Sequence, residues 1–534
     1  MDTAFLPYSE TGRFSKLISD YLEENQKLQA FYTAAPTIKT LKKQAQSKAA
    51  DFSKTHRQTL VKVLRQQYTE LPEKEAVLHA IAQLEKPTTL TVTTGHQLCL
   101  MTGPLYFLYK IISTIKLCEA LNAADTEQHY VPIYWMASED HDFDEVRSFR
   151  FQEKKIQWNK TAEGAVGRMR LDDLQPILDV FEQHLGNSPN ALALKKIIAL
   201  SYRSQNNLAA ATRALVHELF GEYGLVIIDA DDKDLKKAFI PYMKQELLQQ
   251  TAFKEVNQQI EALQTDYDPG FKPQVNPRAI NLFYLTTKGR YRIVETDGIY
   301  ALEGAEKTFS QQSLLTALED QPERFSPNVL LRPLYQEVIL PNICYIGGGG
   351  ELAYWLELKT FFESQKVAFP LLLLRNSALL LDAKKGRKAE KLGLRVKDLF
   401  LNRNALINKK IRQISNIDLD LSPLKKQLDV QFSQLEESVS QTDASFEGAV
   451  KAQKAKQFKG IDQLEKRLLL AQKRKLADQV QRLVHLHEYL FPGDSLQERS
   501  LNFTEFYLVL GADLIPLLFE KLDPLRLEFT WIEY

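Results

Sequence analysis

Three segments of the sequence concentrate residues that bind and activate small polar molecules. The first is Thr93-Thr94-Gly95-His96-Gln97, with Thr102-Gly103-Pro104 just beyond it. Glycines at 95 and 103 let backbone N–H groups approach a phosphate or carboxylate closely. Lys110, in the apolar stretch that follows, can reach the same ligand. A glycine turn with a satisfied histidine is the competing reading. The second segment is Ser138-Glu139-Asp140-His141-Asp142-Phe143-Asp144-Glu145. Its carboxylates and imidazole can orient an amine, accept a proton or hold Mg²⁺ through oxygen. An acidic helix start, complementing the helix dipole, is the alternative. His141 is the expected acid/base residue, with Asp140 and Asp142 beside it and Glu139 among the binding residues. The third is the run Gly347-Gly348-Gly349-Gly350 leading into Glu351 and Tyr354. It offers N–H groups to an anion, or else is a structural turn, and it matches neither the P-loop nor the dinucleotide pattern.

Two arginines join these segments. Arg332 stands in Leu331-Arg332-Pro333-Leu334-Tyr335-Gln336-Glu337, and Arg375 closes the apolar run that ends at Leu374. Either can grip a carboxylate or phosphate by paired hydrogen bonds, or pair with a structural acid such as Glu337 or Glu351. Tyr106, Gln336, Gly348, Gly349 and Tyr354 complete the candidate substrate-binding set. Cys99, Cys118 and Cys344 are widely spaced and have no activating base beside them. They form no disulfide framework and no zinc pattern, so neither a cysteine nucleophile nor a zinc site is expected.

These residues need a scaffold. A chain of 534 residues calls for two or three structural units, and 44% hydrophobic with 25% charged residues is the balance of a globular protein. Lys+Arg and Asp+Glu are equal at 68 each, which speaks against a general nucleic-acid binder. The first residues show no basic-then-apolar leader, and there is no run of about 18 apolar residues. A cytoplasmic protein without membrane association is expected.

Residues 1–86 read as mostly helical. Thr88–Thr94 is rich in β-branched residues and reads as a strand, 105–121 as a buried helix, and Tyr130–Met136 as a second strand. Strand, helix and strand within about 50 residues form a βαβ unit, and hence a parallel sheet. The first two segments should then open on one sheet edge, where open α/β sheets bind ligands. Further strands are expected at Leu225–Ile228, Asn281–Leu285, Tyr291–Glu295 and Phe369–Leu374. After residue 380 the pattern changes. Ser422-Pro423 starts a helix, with apolar residues at Leu421, Leu424, Leu428, Leu435, Val439, Thr442 and Phe446 and a polar position at Gln431. A second series runs Ile461, Leu464, Leu468, Ala471, Val480, Leu483 and Leu490. These heptad-like stripes predict an antiparallel helical hairpin, with its bend between Gly448 and Gly460. The expected division is a core over 1–380, a helical coiled coil over 381–492, and a segment over 493–534 packed back on the core.

TTGHQLCLMTGPLYFLYKIISTIKL, followed by PIYWMASEDHDFDEV, RPLYQEVILPNICYIGGGGELAYWLELK and PGDSLQERSLNF, resembles the BshC family, the cysteine-adding enzymes of bacillithiol biosynthesis. The blocks fall in the family's order along nearly the whole chain. The resemblance implies a Rossmann-like core with inserted segments, similar to nucleotidyltransferases and class I aminoacyl-tRNA synthetases, and a coiled coil that forms a homodimer. It also implies addition of cysteine to the amine of glucosaminyl-malate; forming that amide calls for ATP to activate the cysteine carboxylate, with ATP or ADP as the expected bound nucleotide and Mg²⁺ able to accompany it. On that reading the Gly95–Gln97 and Thr102–Pro104 loops bind an anionic part of the substrate or nucleotide. Asp140–Asp142 handles the amine, and Arg332 or Arg375 holds malate or phosphate. A nucleotidyltransferase acting on another small acid, and a non-catalytic nucleotide-binding scaffold, are the alternatives.

Overall fold

The computed structural model describes residues 3–161, 164–439 and 444–534. Its centre is a five-stranded, all-parallel sheet: β1 (Thr89–His96), β2 (His129–Met136), β3 (Val226–Asp229), β4 (Asn342–Gly347) and β5 (Leu371–Leu374), in the spatial order β5-β4-β1-β2-β3. All eight residues of β1 are buried, as expected of a strand covered on both faces. The β-branched run Thr91-Val92-Thr93-Thr94 suits that position. Helix α1 (Tyr106–Ala124) crosses from β1 to β2 and buries twelve of its residues, among them Leu108, Ile112 and Leu121. Each aliphatic side chain so buried is worth roughly 1.5–3 kcal/mol.

The connections decide where a ligand can enter. From β1 the chain moves through β2 to β3 on one side, then returns to place β4 on the other side of β1. Beyond the carboxyl ends of β1 and β4, the flanking loops diverge and leave a crevice. Between β3 and β4 lies an inserted antiparallel sheet, whose strands Leu282–Leu285, Arg290–Thr296 and Phe325–Pro327 stand over that crevice. Helix α2 (Lys233–Lys237) follows β3, α3 (Leu331–Ile339) precedes β4, and α4 (Gly349–Trp355) follows it.

A third sheet has no signature in the local sequence. Thr3–Pro7 pairs antiparallel with Glu528–Glu533, which also pairs in parallel with Ala378–Leu381. The first residues are therefore a strand within the segment expected to be helical. Its partner lies at the opposite end of the chain, so no local pattern announces it. Through this sheet and Asn502, residues 497–534 are tied to the core.

The helical arms are α5 (Ser422–Val439), α6 (Ala444–Lys475) and α7 (Ala477–Leu490). Ion pairs Lys425–Asp462 and Lys454–Asp429 show α5 and α6 to be antiparallel. Two details differ from the heptad reading. Gly448 and Gly460 both lie inside α6 rather than flanking a bend. Glycine costs about 1 kcal/mol in a helix, which a 32-residue helix rich in Ala, Lys and Gln tolerates. The seam of the first arm keeps only part of the heptad series: Leu421, Leu428 and Val439 are half-buried as expected, but Phe432 is buried where Gln431 was expected to face the seam, and Leu424 and Leu435 are exposed. Thr442 lies outside the described residues. Among the described residues no helix is long and apolar enough to cross a membrane.

Candidate active site

The crevice at the β1/β4 switch holds a cavity of about 390 Å³. β1 supplies Gly95 and His96, with Gln97 just past its end; β2 supplies Trp135 and Met136, followed by Ser138, Glu139 and Asp140. α1 contributes Tyr106 and Lys110, α3 contributes Arg332, β4 contributes Tyr345, and α4 contributes Glu351 and Tyr354. Arg290 and Pro327 of the inserted sheet close the mouth. Glycine at 95 is a matter of space: a Cβ there would lie 3.1 Å from the Tyr345 hydroxyl and 3.8 Å from the Arg332 guanidinium.

The glycine-rich turn after β4 is occupied from within. Glu351 accepts hydrogen bonds from the Gly348 N–H (2.8 Å) and the Tyr345 hydroxyl (2.7 Å), and pairs with the Lys110 ammonium at 2.6 Å. Burial opposes ionisation of Glu351, but Lys110 and these donors outweigh it and hold its pKa below the ordinary carboxylate value. Burial lowers the Lys110 pKa, though Glu351 works against that, and the ammonium also donates to the Gly95 carbonyl at 2.6 Å. The anion site expected of Gly348 and Gly349 is thus filled by the protein's own carboxylate. The N–H groups at a loop-to-helix start attract any nearby anion, and Glu351, three residues on, is the nearest.

Arg332 has a different role. Its Nη1 donates to Gln336 Oε1 at 3.0 Å, and Nη2 lies 3.5 Å from the Tyr354 hydroxyl. The guanidinium rests between the rings of Trp135 and Tyr345, 5.7 and 5.5 Å from their centres. Among the described residues it is the cation lining the cavity that has no carboxylate within 4.0 Å.

The acidic segment is a turn, and its members separate. Asp140 accepts from Gln97 Nε2 at 3.1 Å and from the His141 N–H at 2.8 Å, and lies 3.8 Å from Arg290. Burial would raise its pKa, but the hydrogen bonds from His141 and Gln97 and the charge of Arg290 dominate and hold it well below the carboxylate range. Glu139 pairs with Lys236 of α2. Burial raises its pKa, against the opposing effect of Lys236. Asp142 does not reach the cavity; its side chain accepts from the Glu145 N–H, capping the short helix Phe143–Val146. His141 stands on the rim, half exposed, with Nδ1 3.1 Å from Arg290.

Other expected binding residues lie elsewhere. Arg375 is buried and bound to Glu498 at 2.7 Å, Ser377 and the Asn376 carbonyl, so it grips a structural acid and not a ligand. Gln336 sits behind Arg332, between it and Glu337. Thr102, Gly103 and Pro104 form a wall behind His96 instead of lining the cavity. Met101, Thr102 and Gly103 all have positive φ (50°, 65° and 68°), and a Cβ at Gly103 would come within 2.6 Å of Cys99 Cβ. Asn502 Nδ2 holds this strained turn, donating to the Met101 and Gly103 carbonyls at 2.7 and 2.6 Å; the Tyr202 hydroxyl accepts from the Met101 N–H at 2.8 Å. His96 packs edge-on to Tyr106 and leaves Nε2 without a partner. Burial, aided by Lys110, pushes its pKa down to about 3, so it is a neutral imidazole.

Residues 1–376 match the family described as the bacillithiol biosynthesis BshC N-terminal Rossmann-like domain, and residues 378–534 match the BshC C-terminal coiled-coil domain. The chain belongs to the BshC family. Similar relatives named "Putative cysteine ligase BshC" include one from Flavobacterium johnsoniae, 50% identical with all of both chains covered. A second, from Christiangramia forsetii, is 49% identical over 100% of this chain and 99% of that one. A third, from Bacillus thuringiensis, is 27% identical over 96% of each. A solved structure described as "putative arginyl t-RNA synthetase", from Campylobacter jejuni, aligns at 10% identity with a TM-score of 0.21, covering 89% of this chain and 99% of that one.

In this BshC chain, several residues of the site escaped sequence reasoning. Arg290 comes from the inserted sheet, Trp135 and Tyr345 from apolar strands, and Lys236 from a short charged helix. A strand-end position beside the acidic turn would have marked Trp135. For Arg290 no local signal exists.

Proposed function

We propose that this chain is a ligase that joins cysteine to the amine of glucosaminyl-malate, and that the acceptor amino sugar binds in the β1/β4 cavity. The observation that carries the reading is the pairing of one free cation with one ionised carboxylate across a small cavity. Arg332, without an acid partner, suits a malate carboxylate. Asp140, kept ionised by its donors, suits the ammonium of the amino sugar. The names of the relatives support the ligase class.

An amine attacks only after losing its proton. Asp140, with its lowered pKa, binds the ammonium but is a weak base. Glu139 lines the same cavity and has a raised pKa, so it is the better acceptor for that proton, with Lys236 stabilising the carboxylate until transfer. His141 on the rim orients Asp140 through their contact and through Arg290.

In this proposal the cavity takes the amino sugar and not the nucleoside triphosphate. The N–H-lined turn at Gly348 holds Glu351, Lys110 is paired with the same carboxylate, and Glu139 and Asp140 face the remaining space. Glu139 holds Lys236 and Asp140 is bound by Gln97 beside Arg290, so the proposal gives these acids to the amine and assigns neither to Mg²⁺. The proposal keeps ATP as the energy source that amide formation from a free carboxylate requires, and assigns these residues no phosphate contact. It also extends to assembly. Leu424, Val430, Leu435 and Leu464 are exposed on the helical arms and would be covered in a homodimer.

The test is amide formation, followed by mass spectrometry, with cysteine, glucosaminyl-malate and ATP each omitted in turn. Asp140→Asn should raise KM for the amino sugar about tenfold or more through loss of a charge-assisted contact. An unchanged KM would remove Asp140 from amine binding.

A further inference from the structure

Beneath the cavity floor runs a chain of hydrogen bonds that begins at Arg332 and ends at a lysine of the N-terminal region. Arg332 Nη1 donates to Gln336 Oε1 at 3.0 Å, and Gln336 Nε2 donates to Glu337 Oε1 at 2.9 Å. Asn342 Nδ2 donates to the same Glu337 oxygen at 2.7 Å. Asn342 Oδ1 in turn accepts from the Thr93 hydroxyl of β1 at 2.8 Å. The Lys48 ammonium lies 3.7 Å from Glu337 Oε2 and donates to the Glu337 backbone carbonyl at 2.9 Å. Gln336, Glu337 and Asn342 are fully buried, Lys48 nearly so, and neither Glu337 nor Lys48 lines the cavity.

We infer that Glu337, with Lys48 as its counter-charge, is a positioning residue: it fixes the orientation of the Gln336 amide and thereby aims Arg332 at the substrate carboxylate. An amide has one oxygen and one NH₂, and turning it over exchanges them. Arg332 offers only donors, so it is held only while Gln336 presents its oxygen. The oxygen faces Arg332 because the NH₂ is drawn to Glu337. A carboxylate can only accept, so it permits one orientation of Gln336 and one of Asn342. A neutral apolar residue would leave the choice open.

Glu337→Gln tests this with little change of shape. The new amide has its own choice of orientation, and the buried Lys48 ammonium attracts its oxygen. Its NH₂ then faces the NH₂ groups of Gln336 and Asn342. Gln336 turns over, presents its own NH₂ to Arg332, and displaces the guanidinium. Lys48→Met removes the pull, and the oxygen of the introduced amide can face Gln336 and Asn342 again. The double variant Lys48→Met/Glu337→Gln should therefore recover what Glu337→Gln alone loses. Two independent structural injuries would add instead of cancelling.

The inference rests on the reading that Arg332 binds the carboxylate of the amino-sugar substrate, and the experiment separates the two. KM and kcat for that substrate are measured for the full-length wild type, Arg332→Lys, Glu337→Gln, Lys48→Met, the double variant and Gln336→Met, each checked for folding by circular dichroism. Glu337→Gln is expected to raise KM about tenfold while kcat changes less than about twofold. The double variant is expected to return KM to within about threefold of Lys48→Met alone. If Arg332→Lys raises KM and folded Glu337→Gln does not, the positioning role is wrong while carboxylate binding by Arg332 stands. If Arg332→Lys leaves KM unchanged, the underlying reading is wrong. Failure of the double variant to recover would overturn the orientation argument. Should Glu337→Gln not fold, Gln336→Met decides, since it removes the acceptor itself: an unchanged KM there overturns the inference.

Discussion

Replacing Arg375 with methionine should destabilise the protein without touching substrate affinity. The side chains of Arg375 and Glu498 are 4% and 0% exposed and lie 2.7 Å apart. Arg375 also donates to Ser377 Oγ at 3.0 Å and to the Asn376 carbonyl at 2.8 Å. Glu498 further accepts from Ser377 Oγ at 3.1 Å and from the Ala378 N–H at 3.0 Å. Arg375→Met leaves a buried carboxylate with two neutral donors and no counter-charge. Breaking such a pair from one side costs about 3–5 kcal/mol. At 1.36 kcal/mol per decade, that is a fall of roughly two to four decades in the folding equilibrium. Removing both charges, as Arg375→Met/Glu498→Met, leaves the Ala378 N–H, the Asn376 carbonyl and the Ser377 hydroxyl to find partners. It should cost about 1–3 kcal/mol, less than the single change. Urea unfolding at neutral pH, followed by circular dichroism and extrapolated to water, measures both. A loss below about 1 kcal/mol for Arg375→Met, accompanied by a rise in KM for either substrate, would return Arg375 to the binding site and refute the structural assignment.

Glu357 gives the pH dependence. It is buried, with one oxygen accepting from the Gln274 N–H at 2.7 Å, and burial raises its pKa from 4.5 to about 7 against the backbone donors of Gln274 and Val275. Between those values the unfolded chain is ionised and the folded one protonated, so unfolding releases a proton and stability falls as pH rises. The loss is complete above pH 7 and amounts to about 3 kcal/mol. Glu357→Gln keeps the acceptor and cannot ionise. Its stability relative to wild type should therefore grow from pH 5 to pH 7 and then level off; parallel stability curves would contradict the raised pKa. For assembly, sedimentation velocity should find a dimer in the wild type. Leu424→Glu/Leu435→Glu should convert it to a monomer of unchanged thermal stability, and a dimer in that variant would exclude the exposed face of the first arm from the interface.

What the chain's own order of residues determined is local. The run Thr88–Thr94, the apolar helix after Pro104 and Tyr130–Met136 each carry their periodicity within a dozen residues, so the βαβ unit and the sheet edge that holds the cavity follow from them. Ser422-Pro423 and the spaced leucines likewise announce the helical arms. Gly95, Lys110, Asp140 and Glu351 stand out because their residue types are unusual beside buried strands. Local pattern is blind to partners distant in the chain. Thr3–Pro7 is a strand because Glu528–Glu533 comes beside it. Arg375 is structural because Glu498 reaches it, and Arg332 faces the cavity because Gln336 and Glu337 hold it from behind. The glycine run has the residue types of an open anion site, yet Glu351 fills it. An ionisable side chain's role depends on which opposite charge lies within about 4 Å and how much water is excluded around the pair. Both are properties of the packed molecule, and only the tertiary structure decided them.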